Sequence, residues 1–256
     1  MKRILSLFLA LVCVFSLCSC GNKVPATVLS ESDISGKKTG VLENSVSELF
    51  SVNKYRDSTV CGYSSVGAAA SDLKLGIIDC IISDANEAKN VTRSLTGLKA
   101  LSPSVGSVNL AFMCARERGD LASVLSARIA DLTENGTIKN IVSSYFSGNG
   151  SITQPDTKQY EKSFTIDVCL SGEPYAYYDG DGFLKGIEVD IIRTVCSAQG
   201  IGASFTVTTR DEALSNIITG KADIALGGLF DDGSENPLVT YSSPYYTSEQ
   251  VIITRK

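Results

Sequence analysis

Residues 215–228 read Ser-Asn-Ile-Ile-Thr-Gly-Lys-Ala-Asp-Ile-Ala-Leu-Gly-Gly, and the fold turns on them. Asn216, Ile217 and Ile218 read as the last turns of a helix, stopped at Gly220. Glycine past a helix end supplies the left-handed backbone that closes it. The apolar run Ile224-Ala225-Leu226, bounded by Asp223 and Gly227, suits a strand buried on both faces. The same unit occurs at residues 71–83, Ser-Asp-Leu-Lys-Leu-Gly-Ile-Ile-Asp-Cys-Ile-Ile-Ser. Ser71 matches Ser215, Gly76 matches Gly220 and Asp79 matches Asp223, each 144 residues apart. A helix–Gly–Asp–strand unit used twice predicts two α/β lobes of similar plan.

The composition bounds what those lobes do. A chain of 256 residues, 43% apolar with 22 Gly, is long enough for two modest α/β domains. Its net charge is −5, with no basic stripe, so no nucleic-acid partner is expected. The sequence holds no His. That removes Ser-His-Asp catalysis and every His-ligated metal site, and no metal or cofactor is expected.

Residues 1–19 read as an export signal. Lys2-Arg3 is a basic start, and the apolar stretch from Ile4 to Leu17 is too short to span a bilayer comfortably. It ends in Leu17-Cys18-Ser19-Cys20-Gly21, which resembles the bacterial lipoprotein signal, with Cys18 an unusual occupant of its position. The resemblance implies a diacylglyceryl group on Cys20 and a protein anchored to the cell membrane, facing outside the cytoplasm. Residues 20–33 read as a polar tether. Beyond Cys20 stand Cys61, Cys80, Cys114, Cys169 and Cys196, an odd number with no Cys-x-x-Cys. Cys80 and Cys169 lie in apolar runs and read as buried small hydrophobes. Pairings such as Cys61–Cys80 or Cys169–Cys196 stay open.

Further along, Ser45 followed by Glu48 is a capping-box arrangement that opens a helix. Residues 149–161 have the composition of a linker. Asp179-Gly180-Asp181-Gly182 resembles part of a calcium loop without its later ligands, and reads as a hairpin turn.

Residues 164–256 resemble the first half of a polar-amino-acid solute-binding protein of an ABC importer. The resemblance rests on the Phe164–Val168 strand, Glu173-Pro174-Tyr175, Gly186-Ile187-Glu188-Val189-Asp190-Ile191, Gly220-Lys221-Ala222-Asp223, and Tyr241-Ser242-Ser243-Pro244-Tyr245-Tyr246. Residues 34–148 resemble that family's second half, through Ser35-Gly36-Lys37-Lys38-Thr39-Gly40-Val41, Gly76-Ile77-Ile78-Asp79, Ser83-Asp84 and Asn135-Gly136-Thr137-Ile138. The implied fold is the two-lobed type II periplasmic-binding-protein (Venus-flytrap) arrangement. The halves stand in reversed order, so the chain looks circularly permuted, cut at one interlobe crossing. On this reading residues 34–107 form lobe 2, residues 108–148 a hinge strand and the closing helices of lobe 1, and residues 162–256 the rest of lobe 1. One covalent crossing, near Ser107–Phe112, is expected to remain, with the tail strand and the tethered head meeting at the waist.

The resemblance also carries over a site. Asp84 matches the carboxylate that receives the ligand's ammonium, Tyr175 the aromatic that stacks on its side chain, and Ser45 the helix-opening hydroxyl that helps hold its carboxylate. Gly228 ends the glycine-rich strand. The family's carboxylate-gripping Arg falls on Glu235, and its pocket hydroxyls on Phe230 and Asp232. No basic residue nearer than Lys221 precedes Glu235. With Glu173 added, the cleft reads as acidic, which favours a cationic or polyamine-like ligand over a plain amino acid. The implied function is a lipid-anchored receptor delivering a small solute to an ABC permease in the membrane. A ligand-sensing lipoprotein is the alternative, and a dehydratase-like enzyme using Glu173 as its acid is a third reading.

Overall fold

The computed structural model describes residues 27–150, 160–231 and 236–256. The export signal, Cys20, most of the 149–161 linker, Asp232 and Glu235 lie outside the described residues.

In chain order the strands are β1 (Lys38–Leu42), β2 (Thr59–Tyr63), β3 (Cys80–Asp84), β4 (Leu98–Ala100), β5 (Gly106–Leu110), β6 (Met113–Ala115), β7 (Ser163–Cys169), β8 (Tyr177–Tyr178), β9 (Leu184–Lys185), β10 (Gly202–Thr208), β11 (Ile224–Leu226), β12 (Val239–Tyr241) and β13 (Tyr246–Arg255). The helices are α1 (Val46–Lys54), α2 (Val66–Leu75), α3 (Ala85–Ser94), α4 (Gly119–Glu134), α5 (Thr137–Phe146), α6 (Ile187–Ala198) and α7 (Arg210–Ile218).

Two sheets of one plan result. Sheet A runs β2-β1-β3-β13-β4, and sheet B runs β10-β7-β11-β6-β12. In each, three parallel strands come from one half of the chain, and the fourth is an antiparallel strand from the other half. The repeated unit explains the match. Gly76 (φ 74°) and Gly220 (φ 71°) close α2 and α7 in the left-handed conformation. Ile77 N–H donates to Asp72 O and Lys221 N–H to Asn216 O, the same closing bond in both lobes. Asp79 then exchanges two bonds with β1, its amide donating to Lys38 O and its carboxylate accepting from Lys38 N–H. Asp223 does the same with Thr165 in β7. The aspartate before each strand thus pins that strand's start to its parallel neighbour.

Side chains alternate across each sheet. In lobe A, Ile81, Val251 and Ile253 meet Val66, Ala69 and Leu73 of α2 on one face. Cys80, Ile82 and Ile252 meet Val28 and Ile34 on the other. In lobe B, Ile166, Val168, Ile224 and Leu226 pack under α4, α5 and α6, while Cys169 and Ala225 pack under Ala213 and Ile217 of α7. The turn at Asp179 is a hairpin: its carboxylate accepts from Asp181 and Phe183 N–H, and β8 pairs antiparallel with β9.

Three expectations about the connections need correction. The chain crosses between lobes twice, at Leu110–Met113 and at Tyr241–Tyr246, where a single crossing was expected. The two crossings are tied together: β5 pairs antiparallel with β13 from Tyr246↔Leu110 to Gln250↔Gly106. Ser242 N–H donates to Phe112 O, Phe112 N–H donates to Ser242 Oγ, and the rings of Phe112 and Tyr245 stack at 4.3 Å. Secondly, β13 belongs to lobe A, so residues 162–256 do not all fall in one lobe. Thirdly, the end of β13 and the start of β1 meet at the far end of sheet A, away from the waist. Arg255 donates to Ile78 O, beside the Asp79 that binds Lys38. The cause is length: ten residues of β13 carry the chain from the hinge past Asp84 to Leu98.

Candidate functional site

The carboxyl ends of the parallel strands in both sheets point at the seam between the lobes, which is where open α/β sheets bind ligands. Lobe A presents the start of α1. Ser45 caps it: its hydroxyl oxygen accepts from Glu48 N–H at 3.3 Å and its proton goes to Leu42 O at 2.6 Å. Glu48 reaches back one residue further than the capping box predicts, to Asn44 N–H at 2.6 Å. The hydroxyl of Ser45 is therefore occupied within its own turn. What α1 offers the seam is its first-turn N–H groups, which have no partner inside the helix.

Lobe B presents the glycine pair that ends β11. Glu188, fully buried near the start of α6, accepts from Gly227 N–H at 2.7 Å and from Gly228 N–H at 3.0 Å. Burial pushes the Glu188 carboxyl up, and the two glycine amides oppose that. Gly227 has φ 116°, and a Cβ there would lie 1.8 Å from Cys169 O, so no side chain fits.

At Gly228 the lobes meet. A Cβ on Gly228 would lie 3.1 Å from Val46 Cγ2, in the first turn of α1, and 3.2 Å from Arg210 Nη2. Leu42 of lobe A packs on Gly172 of lobe B, and Asn90 Nδ2 donates to Phe146 O across the seam at 2.8 Å. In this conformation the two lobes touch at Gly228, at Gly172 and through the Asn90–Phe146 bond.

Arg210 is the residue the sequence reading missed. It is the first residue of α7, and its Nη1 donates to Gly228 O at 3.2 Å. Its Nη2 is buried and has no hydrogen-bond partner among the described residues. Counting back along the Gly228–Glu235 loop could not find it, because it arrives from another element. The available signal was the box Thr209-x-x-Glu212, which the structure forms and which fixes the helix start at the seam end of β10.

The other expected site residues that are described have these surroundings. Asp84 is 1% exposed. Its carboxylate accepts from Asn86 N–H, Tyr246 Oη and Ser248 Oγ, each at 2.7 Å. All three donors come from lobe A and the hinge strand. Tyr175 is buried, with its ring edge-on to Phe146 at 6.5 Å and 6.1 Å from Tyr246. It belongs to the packed floor beneath the seam, and burial holds its hydroxyl well above the usual range. Phe230 is half-buried against the lobe B core. Glu173 is exposed. Its charge, with that of Asp84, adds to burial in pushing Glu87 up to about 8, against a lowering bond from Ser83 Oγ. Among the described residues the acids near the seam are Asp84 with its three internal donors, the exposed Glu173, and Glu87 with its raised carboxyl.

Among known proteins, one family model matches part of this chain. Residues 164–256 match the model of the bacterial extracellular solute-binding proteins, family 3. The solved structures it resembles include the L-cystine solute receptor of Neisseria gonorrhoeae in an unliganded open conformation. That match has 25% identity and a TM-score of 0.27, and covers 30% of this chain and 32% of that one. A phosphate-binding protein of a Streptococcus pneumoniae phosphate ABC transporter is similar at 10% identity over 86% of this chain and 88% of that one, TM-score 0.45. The GluR0 ligand-binding core in complex with L-glutamate is similar at 11% identity over 86% and 85%, TM-score 0.39. The two sheets of matched order, joined by paired crossings, are the two-lobed type II arrangement.

Proposed function

We propose that this protein is a lipid-anchored receptor, outside the cytoplasm, that captures a small polar, amino-acid-like solute between its lobes and passes it to an ABC permease. The observation that carries the reading is the seam: two sheets of the same order turn their strand ends toward each other across β5 and β13, the geometry of a hinge. The family match over residues 164–256 supports a solute as the ligand. The sequence around Cys20 supports the anchor.

Of the amino-acid-like and polyamine-like ligands, two observations favour the amino-acid-like one. Asp84 already accepts from three internal donors, and a cation, Arg210, stands at the strand end where a net acidic site was expected. We also propose that the chain order is a permuted version of the family's. The far-end meeting of β13 and β1 supports a cut there, with residues 147–161 joining the former ends.

The test is a thermal-shift screen of the mature protein against the common amino acids, cystine and the polyamines. The reading expects a concentration-dependent rise in Tm with at least one amino acid. A rise with polyamines alone would restore the cationic reading, and no rise with any compound would remove the receptor.

A further inference from the structure

We infer that lobe A carries a second binding site, outside the seam, for a small molecule bearing a phosphate group. A pocket of about 500 Å³ lies between α3 and the edge strand β4, a volume in the range of small-molecule sites. Its walls carry Lys89 of α3, Lys99 of β4 and Lys256 after β13, with Ser102 and Ser104 from the loop that follows β4. Among the described residues none of these five side chains makes an ion pair or a hydrogen bond. Leu98 and Val251, both buried, give the pocket an apolar floor. Every one of these elements belongs to lobe A, so the site takes no residue from lobe B.

The charge at this place is written into the sequence. The chain as a whole is acidic, with 28 Asp and Glu against 23 Lys and Arg. Yet from Ala88 through Arg116, and again from Gln250 to Lys256, no Asp or Glu occurs. The fold brings these two acid-free segments together. Leu101 N–H donates to Ile252 O and Val105 N–H to Gln250 O, which fixes both ends of the serine loop against β13. Lys256 N–H donates to Gly97 O, which holds the third lysine beside β4. Glu87, the one acid of α3, accepts from Ser83 of β3 and does not line the pocket. Three like charges around one pocket repel each other, and a ligand of opposite charge removes that cost. Ammonium groups act as point charges and suit a phosphate, whereas a planar carboxylate favours the guanidinium fork. Three of them offset the charge of about −1.5 to −2 that a phosphate monoester carries at neutral pH. The serine hydroxyls add donors to its oxygens. The apolar floor suits a ring or chain on the same molecule.

The experiment titrates the mature protein calorimetrically, at low ionic strength, with inorganic phosphate and with adenosine monophosphate. A second arm floats it with phosphatidylglycerol or phosphatidylcholine vesicles. All proteins carry Cys20→Ser, so that no lipid is attached. Three are compared: the parent, Lys89→Glu with Lys99→Glu, and Lys139→Glu with Lys162→Glu, an exposed pair elsewhere that changes the net charge equally. The site predicts saturable binding of adenosine monophosphate, one per chain and tighter than inorganic phosphate. Reversal at Lys89 and Lys99 should abolish it, and reversal at Lys139 and Lys162 should leave it. Single Lys89→Ala and Lys99→Ala should each weaken it about 2- to 5-fold, the scale of an exposed charge pair. Binding to phosphatidylglycerol vesicles alone, lost in the same reversal, would assign the phosphate to a lipid headgroup instead of a soluble molecule. No binding in either arm, binding that survives reversal at Lys89 and Lys99, or equal loss in both reversed proteins would overturn the site. Should that reversal fold poorly, the single alanines carry the test, and undiminished binding in both overturns it as well.

Discussion

Tyr246 Oη donates to Asp84 Oδ2 at 2.7 Å, which ties the first residue of the hinge strand β13 to the last residue of β3. Ser248, two residues on, donates to the same oxygen. The carboxylate that the sequence assigned to a ligand's ammonium thus fastens the hinge to lobe A. Replacing Asp84 with Ala leaves the buried Ser248 hydroxyl, the part-buried Tyr246 hydroxyl and one helix-cap amide without their acceptor, which costs about 2–4 kcal/mol. Tyr246→Phe removes one donor and costs about 1–2 kcal/mol. Urea unfolding of the two variants and their double mutant should show coupling, because the residues share one bond. Strict additivity would dissolve the tie.

Gly227→Ala should be the more damaging glycine substitution. Its backbone sits at φ 116° and the new methyl would collide with Cys169 O. Strain and overpacking together give about 3 kcal/mol or more. Gly220→Ala, with φ 71° and open space around it, should cost about 1 kcal/mol. Comparing their Tm values checks the order.

Glu87 sets a pH dependence. Burial raises its carboxyl to about 8, from an ordinary 4.5. The folded state therefore holds a proton that the unfolded chain releases between those values. Its contribution is fully present below about 4.5 and is lost as pH rises through about 8. Glu87→Gln should flatten that fall, read as Tm measured from pH 5 to 9 in both proteins. An unchanged slope would mean that Glu87 titrates normally.

The five described cysteines are all free. Burial pushes Cys80 and Cys169 up to about 11, and Cys114 and Cys196 up to about 12, so their thiols stay protonated and unreactive. Alkylation of the native protein followed by peptide mapping should modify the half-exposed Cys61 first, with the other four reacting only after denaturation. Fast labelling of Cys114 would show that sheet B opens.

Much of the fold was legible because it is written in local punctuation. Gly76 and Gly220 stop helices, Asp79 and Asp223 start strands, and the shared 144-residue offset needs no tertiary information. The route of β13 was not legible. Its run Val251-Ile252-Ile253 reads as a buried strand in either lobe, and only pairing with β3 and β5 assigns it. The surroundings of the expected site residues were not legible for a related reason. A carried-over position fixes where a residue falls along the chain, and neither how many donors reach Asp84 nor which distant side chain, such as Arg210, reaches Gly228.

The most direct measurement is calorimetric titration of the mature wild-type protein with the common amino acids at several temperatures. The account predicts saturable binding of at least one of them at one site per chain, with a negative heat-capacity change as the lobes bury surface around it. Absence of saturable heat with every amino acid, from a protein that unfolds cooperatively, would contradict it.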